Sequence, residues 1–318
     1  MLNEIVQTCL GAGSLWTVMS KPEVINKILD TTSRGFNILY ESKRLEKIMK
    51  KIEGIGGNIS ITNGDFSLKI ESNENTVDEM LIKSIVDKSI KEIINVNEIL
   101  EKTAKLLDTT EEISKEKVDT DWAARYFNTV KDISNEEMKI IWSKLLADEI
   151  TRPGTISLRT IDLLRNLSSR EARLFQSIVS CSASIPGTMF ILGDDNLRSS
   201  FGLGQNDISL MQELNLLHSE GLYWNLQTIG NGMNLMQFDD KLAVVIETTD
   251  VKKSLSIYKF TNIGKELSKL VERENIERYL KDIALLIKKV SPNARVYTME
   301  RSDYNGSNCY SNKVEIYT

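Results

Sequence analysis

Residues 142–160, WSKLLADEITRPGTISLRT, read as the end of one helix, a turn, and the start of the next. Met138, Ile141, Trp142, Leu145, Leu146 and Ile150 recur at the spacing that puts apolar side chains on one face of an α-helix. Pro153-Gly154 stops that helix, and Ser157 is placed to cap its successor. The stretch predicts a compact helix-turn-helix corner in which no catalytic group stands out.

Working outward, residues 119–182 read as a central bundle of short, capped helices. Asp121 is a candidate cap for the helix of Trp122, Tyr126, Phe127 and Val130. Ser134 with Glu137 and Ser168 with Glu171 match the capping box, a hydroxyl paired with a carboxylate three residues on. Residues 1–118 read as a helical N-terminal region. Ile25, Ile28 and Leu29, then Phe36, Leu39 and Tyr40, then Leu45, Ile48 and Met49 keep helical spacing until Gly54, Gly56 and Gly57 break it. NISITNGDFSLKI alternates apolar and polar residues around Asn63-Gly64, predicting a hairpin near 58–70, and a long helix follows over Thr76–Leu107. Residues 183–318 change character. A strand at Met189–Leu192 precedes a helix expected over NDISLMQELNLLHSEGL; strands follow at LYWNLQTI, LAVVIETT and LSIYKFT; the last runs through Thr261 and Gly264 into a helix. An amphipathic helix (Ile276, Leu280, Ile283, Ile287) and a C-terminal hairpin complete the chain. The expected class is α+β, mainly helical.

The corner, with DWAARYFNTVKDIS before it and INVNEILEKTAKLL further upstream, resembles an uncharacterised bacterial family of unknown function. The family signature falls here on Trp142, Leu146, Glu149, Pro153, Gly154, Ser157, Arg159 and Thr160. Relatives with this signature are similar to abortive-infection-type defence proteins, so the resemblance implies a role in antiviral defence. Residues 169–272 follow the layout of a winged-helix module, making the C-terminal region winged-helix-like.

Composition limits the chemistry. The chain has 318 residues, 41% hydrophobic and 27% charged, with a formal net charge of -5, the profile of a globular protein without general attraction to polyanions. Cys9, Cys181 and Cys309 have no metal-ligand spacing and read as free thiols, which with the lack of a spanning or secretory segment predicts a cytoplasmic protein. His218 is the single histidine and reads as structural, beside a helix end. No phosphate-binding glycine loop is present, and Gly11-Ala12-Gly13 is incomplete as one. Asp194-Asp195 and Asp239-Asp240 read as solvated turns. Asp65, Lys69 and Glu71 at the hairpin offer a metal-dependent nuclease alternative.

Glu149 and Arg159 flank the Pro-Gly turn, each at the unfavourable end of its own helix dipole. An ion pair across the corner is the expected explanation, with a ligand or partner site as the alternative. In a nucleic-acid-binding alternative the recognition helix is residues 206–220. It carries Asp207, Glu213 and Glu220 and no basic residue, leaving Lys252, Lys253, Arg165, Arg170 and Arg173 for phosphates. No catalytic, cofactor or metal residue is assigned. The expected function is a non-enzymatic interaction or scaffold component that self-associates through its long amphipathic helices.

Overall fold

Two units divide the chain, Met1–Arg165 and Asn166–Thr318. The computed structural model describes residues 22–35, 47, 50, 57–62, 65–70, 77–110, 113–238, 241–273, 276–304 and 307–316. In the first unit α1 is Pro22–Gly35, β1 Gly57–Thr62, β2 Asp65–Ile70, α2 Val77–Asp108, α3 Thr120–Val130, α4 Glu136–Thr151 and α5 Leu158–Asn166. β1 and β2 pair antiparallel with Thr62 opposite Asp65; the Asn63-Gly64 turn itself lies outside the described residues, as do Phe36, Leu39, Tyr40, Leu45, Ile48 and Met49.

The helices start where a side chain takes up a stranded backbone N–H. Asp119, not Asp121, accepts from Trp122 N and caps α3, while Asp121 sits in the first turn, where its charge favours the positive end of the helix dipole. Asn135 rather than Ser134 caps α4, accepting from Met138 N at 3.0 Å. A candidate cap one or two residues from the true one is the usual error where several short polar residues adjoin. The Ser168–Glu171 box forms as expected.

α2 packs against α4, and α1 against α3. Trp122, Tyr126, Phe127, Val130, Trp142, Leu145, Leu146 and Ile150 are all buried, with Ile25, Ile28, Ile93, Val96 and Leu100 from α1 and α2. The Trp122 ring stacks on Tyr126 at 5.1 Å between centroids, and Trp142 meets Tyr126 edge-on at 5.6 Å. The Tyr126 hydroxyl donates to Trp142 O at 2.8 Å, so the aromatic cluster ties α3 to α4 by packing and by a buried hydrogen bond. Lys139, buried on α4, reaches Glu98 of α2 and Glu136. Burial opposes its charge, but the two carboxylates outweigh that and hold the ammonium above its usual range.

The second unit runs α6 (Ser169–Ser180), β3 (Ser182–Ile185), β4 (Thr188–Leu192), α7 (Asp195–Ser200), α8 (Gln205–Glu213), β5 (Leu222–Asn225), β6 (Asn234–Gln237), β7 (Leu242–Glu247), β8 (Ser254–Lys259), α9 (Asn262–Ser268), α10 (Ile276–Val290), β9 (Arg295–Tyr304) and β10 (Ser307–Glu315). Its eight strands are ordered β10-β9-β7-β6-β3-β4-β8-β5. Two four-stranded halves meet at β3 and β6, paired at Ser184 and Gln237. β7 pairs with β6 and β9, and β8 with β4 and β5, so these two sequential strands stand in different halves.

The helix expected to reach Gly221 ends at Glu213 instead. Asn215 turns left-handed at φ 56, and Leu216 N returns to Met211 O at 2.8 Å, the reverse turn that ends helices when the residue tolerates positive φ. Leu217 then bridges to Phe260. The apolar face of α10 is covered inside its own unit. Tyr279, Ile283, Ala284 and Ile287 are buried there, so that helix is not an unused stripe awaiting a partner.

Thr261 and Gly264 join β8 to α9 for a steric reason. Thr261 Oγ1 accepts from Gly264 N at 3.0 Å and donates to Asn215 O at 2.6 Å. A Cβ on Gly264 would lie 2.2 Å from Leu216 O, a backbone atom that cannot yield without moving the chain. Gly264→Ala should therefore cost about 1–3 kcal/mol through overpacking, read from thermal or denaturant unfolding; an unchanged midpoint would refute this close approach. In the first unit, Trp142→Ala should cost about 3–5 kcal/mol as a cavity, and a soluble variant melting like the wild type would remove Trp142 from the core.

Candidate functional site

Of the residues singled out in the sequence, Trp142 and Leu146 lie in the core, Arg159 is exposed, and Glu149, Pro153, Gly154, Ser157 and Thr160 meet at the turn between α4 and α5. A chain leaving a helix through Pro153-Gly154 strands several backbone N–H groups. Glu149 takes them up: Oε1 accepts from Gly154 N at 2.7 Å and Oε2 from Ile156 N at 3.0 Å. Ile156 is held from its other side too, since Trp122 Nε1 donates to its carbonyl at 2.9 Å. Gly154 stands at φ 83, a backbone state that glycine adopts without a Cβ penalty. Ser157 accepts from Thr160 N at 3.4 Å, and the two hydroxyls lie 3.0 Å apart, capping α5.

The expected Glu149–Arg159 ion pair is replaced by this arrangement. Glu149 is 1% exposed and both its oxygens hold turn amides, whereas Arg159 is exposed; among the described residues no ion pair joins them. A carboxylate at a helix C-terminus needs compensation, and the turn's own backbone supplies it, which sequence spacing alone does not distinguish from a side-chain cation.

Lys27 of α1 closes the corner from the opposite side. Its ammonium donates to Ile150 O at 2.7 Å and to Ser114 O, and Ser114 N donates to Thr151 O at 3.1 Å. A lysine on the last carbonyls of a helix satisfies acceptors the helix leaves open and favours the negative end of its dipole. Burial lowers the Lys27 pKa, opposed by Glu116 and Glu149. Nothing in the sequence spacing marks Lys27, which lies 123 residues from its acceptor at Ile150. Beside it, between α1 and residues 110–118, opens a cleft of about 690 Å³ lined by Glu23, Asn26, Lys27, Asp30, Glu116 and Lys117. Its charges are of both signs, and its ammonium is already bound to backbone carbonyls.

The remaining candidates have structural partners. Asp194 caps α7 through Leu197 N at 2.9 Å, and Asp195 pairs with Arg198. His218 is exposed, and its backbone N donates to Lys259 O at 2.8 Å. Cys181 is buried, which pushes its thiol up to about 12 and makes it inert; Cys309 is exposed and free. Cys9, Gly11, Ala12, Gly13, Glu71, Asp239 and Asp240 lie outside the described residues. Arg198 is buried, with Nη2 on Gln205 and the guanidinium over the Tyr258 ring. Its Nε and Nη1 find no acceptor among the described residues; they share no edge of the guanidinium and so present no fork to an oxyanion. No group of three or more potential metal ligands occurs among the described residues, and no described helix is long and apolar enough to cross a membrane.

Two consequences of the Glu149 geometry are measurable. Glu149→Gln puts an amide NH₂ against a backbone N–H, which should cost about 1–3 kcal/mol by stranding a buried donor. Burial raises the Glu149 carboxyl above its ordinary 4.5, against the lowering effect of the Gly154 and Ile156 amides. The folded chain thus holds this proton more tightly than the unfolded one. The associated stability is present below 4.5 and is lost as pH rises through the raised value. The stability gap between wild type and Glu149→Gln should therefore widen on acidification through that window, and a pH-independent gap would contradict the assignment.

Comparison with curated proteins finds no match, and neither does comparison with solved structures. The family described as "Protein of unknown function (DUF2806)" matches residues 82–284. That span takes in most of α2, the aromatic cluster, the Glu149 corner and the second unit as far as α10. With well over half of its length matched, the chain belongs to the DUF2806 family.

Proposed function

We propose that this protein is a non-enzymatic interaction component that associates with itself through the first turns of α2. The observation that carries the reading is the exposure of Met80 and Leu81, at 60% and 58%, with Ile85 beside them on the same helix. α2 has 32 residues, about 48 Å of helix. From Ile90 to Leu107 most of its apolar side chains are buried in the unit, Leu106 at 37% exposed being the outlier, whereas Met80, Leu81 and Ile85 form a stripe at i, i+1 and i+5 that meets solvent. Unburied apolar stripes of this kind are usually covered by another chain. A cleft of about 610 Å³ runs alongside, with Met80, Ser84, Asp87 and Lys91 on one wall and Lys131 and Asp132 on the other. It offers a second helix a polar rim of mixed sign.

The signature supports the same reading from the inside. Trp142 and Leu146 are core, Glu149, Pro153, Gly154, Ser157 and Thr160 build the corner, and only Arg159 is left for an outside partner. A winged-helix likeness for the second unit fits a protein-facing role, because α8 carries Asp207 and Glu213 with no lysine or arginine and would repel a phosphate backbone. A place in antiviral defence belongs to this proposal as its biological setting, and a cytoplasmic location goes with it.

Light scattering over micromolar concentrations should find the full chain larger than a monomer. Ile85→Glu should lower that mass while leaving the melting temperature within the small range typical of surface changes. A strict monomer that binds duplex DNA tightly, with affinity falling steeply as salt rises, would overturn the proposal in favour of nucleic-acid binding.

A further inference from the structure

The two edges of the sheet are treated differently. An edge strand exposes unpaired N–H and C=O groups, and proteins blunt such edges with bulges, charge and short length. β10, of nine residues, carries the first two guards: its register shifts between Ser311 and Val314, Asn312 turns left-handed at φ 54, and Lys313 lies over the Tyr297 ring while bonding Glu247. β5, at the other edge, is Leu222-Tyr223-Trp224-Asn225, with its four-residue length as its guard and neither bulge nor charge. Tyr223 is 71% exposed there and Leu222 40%.

The outward-facing groups of β5 follow from its register. Asn225 stands opposite Ser254 and Trp224 opposite Leu255, and Leu226 N donates to Lys253 O at 2.9 Å. Hydrogen-bonded residues alternate along an antiparallel strand. Leu222, Trp224 and Leu226 therefore turn their backbone groups toward β8, and Tyr223 and Asn225 turn theirs to the open side.

We propose that β5 pairs antiparallel with β5 of a second copy of this chain, about a two-fold axis at Trp224. In that register Tyr223 faces Asn225 of the second copy, and every outward N–H and C=O on the strand finds a partner. A one-residue shift sets outward groups against inward ones. The charges agree with the same axis. Glu220 is exposed just before β5, and Lys252 is exposed in the turn before β8, next to the far end of β5. The two-fold brings the acidic end of each strand to the basic end of its mate, which favours association and sets register. The pairing rests on the reading that the chain self-associates and adds a second surface to it. With α2 and β5 each joining two copies, the assembly extends beyond a dimer.

Native masses of the full chain test this. Asn225→Pro removes an outward donor and leaves the β8 bonds intact, the one setting in which a strand accepts proline. It should weaken the β5 contact about tenfold or more and lower the native mass, with the melting temperature of the wild type. Glu220→Lys and Lys252→Glu should each lower the mass, and the two together should restore it, a recovery that only a contact between copies gives. Ile85→Glu should leave a dimer that Asn225→Pro then converts to monomer. An Asn225→Pro protein of unchanged mass, or an Ile85→Glu protein that is already monomeric, would overturn the edge pairing while leaving the α2 contact standing. Charge reversals that weaken association singly without mutual rescue would overturn the two-fold register. An Ile85→Glu protein of unchanged mass would instead strike the α2 reading alone.

Discussion

The carboxylate of Glu149 holding the amides of Gly154 and Ile156 is the constraint on which the first unit depends. A Pro-Gly turn at the end of a helix leaves backbone donors facing the interior, and a buried N–H without an acceptor costs about 1–3 kcal/mol. One side chain meets two such donors. Because Ile156 is held by Glu149 at its N–H and by Trp122 at its carbonyl, the turn's position fixes α3 as well as α4 and α5. Lys27 adds α1 and the segment at Ser114 through the carbonyls on the other side of α4. The acid and the lysine that look like chemistry are thus engaged by backbone, the acid by donors and the lysine by acceptors.

Much of this was legible in the sequence, and what was missed has definable causes. Helical periodicity placed Trp142, Leu145, Leu146 and Ile150 on a core face, and each is buried. Asn63-Gly64 predicted the register in which Thr62 meets Asp65. The long helix expected over Thr76–Leu107 is α2. Ser157 and Ser168 cap where expected, whereas two other caps fell one or two positions off, because Asp119 and Asp121, or Ser134 and Asn135, are equally good acceptors in isolation and only the path of the preceding chain decides between them. The strands Ser182–Ile185 and Asn234–Gln237 escaped notice. Each has four residues, too few for an alternation to declare itself, and both are held by their neighbours rather than by their own propensity. The end of α8, expected at Gly221, was misplaced because Asn215 turns the chain left-handed where a run of leucines conceals the stop. Long-range partners such as Lys27 with Ile150 O leave no mark in local spacing.

The proposed self-association uses the outside of the two units. Glu149, Pro153, Gly154, Ser157 and Thr160 explain how the corner is built and leave activity open. Among the surfaces that the core does not use are the first turns of α2 and the strand β5. Both carry exposed apolar side chains, Met80 and Leu81 on α2 and Leu222 and Tyr223 on β5.

The most direct test of the corner is amide hydrogen exchange at Gly154 and Ile156. Turn amides bonded only to water exchange at unprotected rates, whereas amides bonded to a buried carboxylate exchange only when the surrounding structure opens. The account predicts protection for both residues comparable with that of the core amides of α4, lost together in Glu149→Ala. Rapid exchange of Gly154 and Ile156 in the wild type, while α4 stays protected, would contradict it.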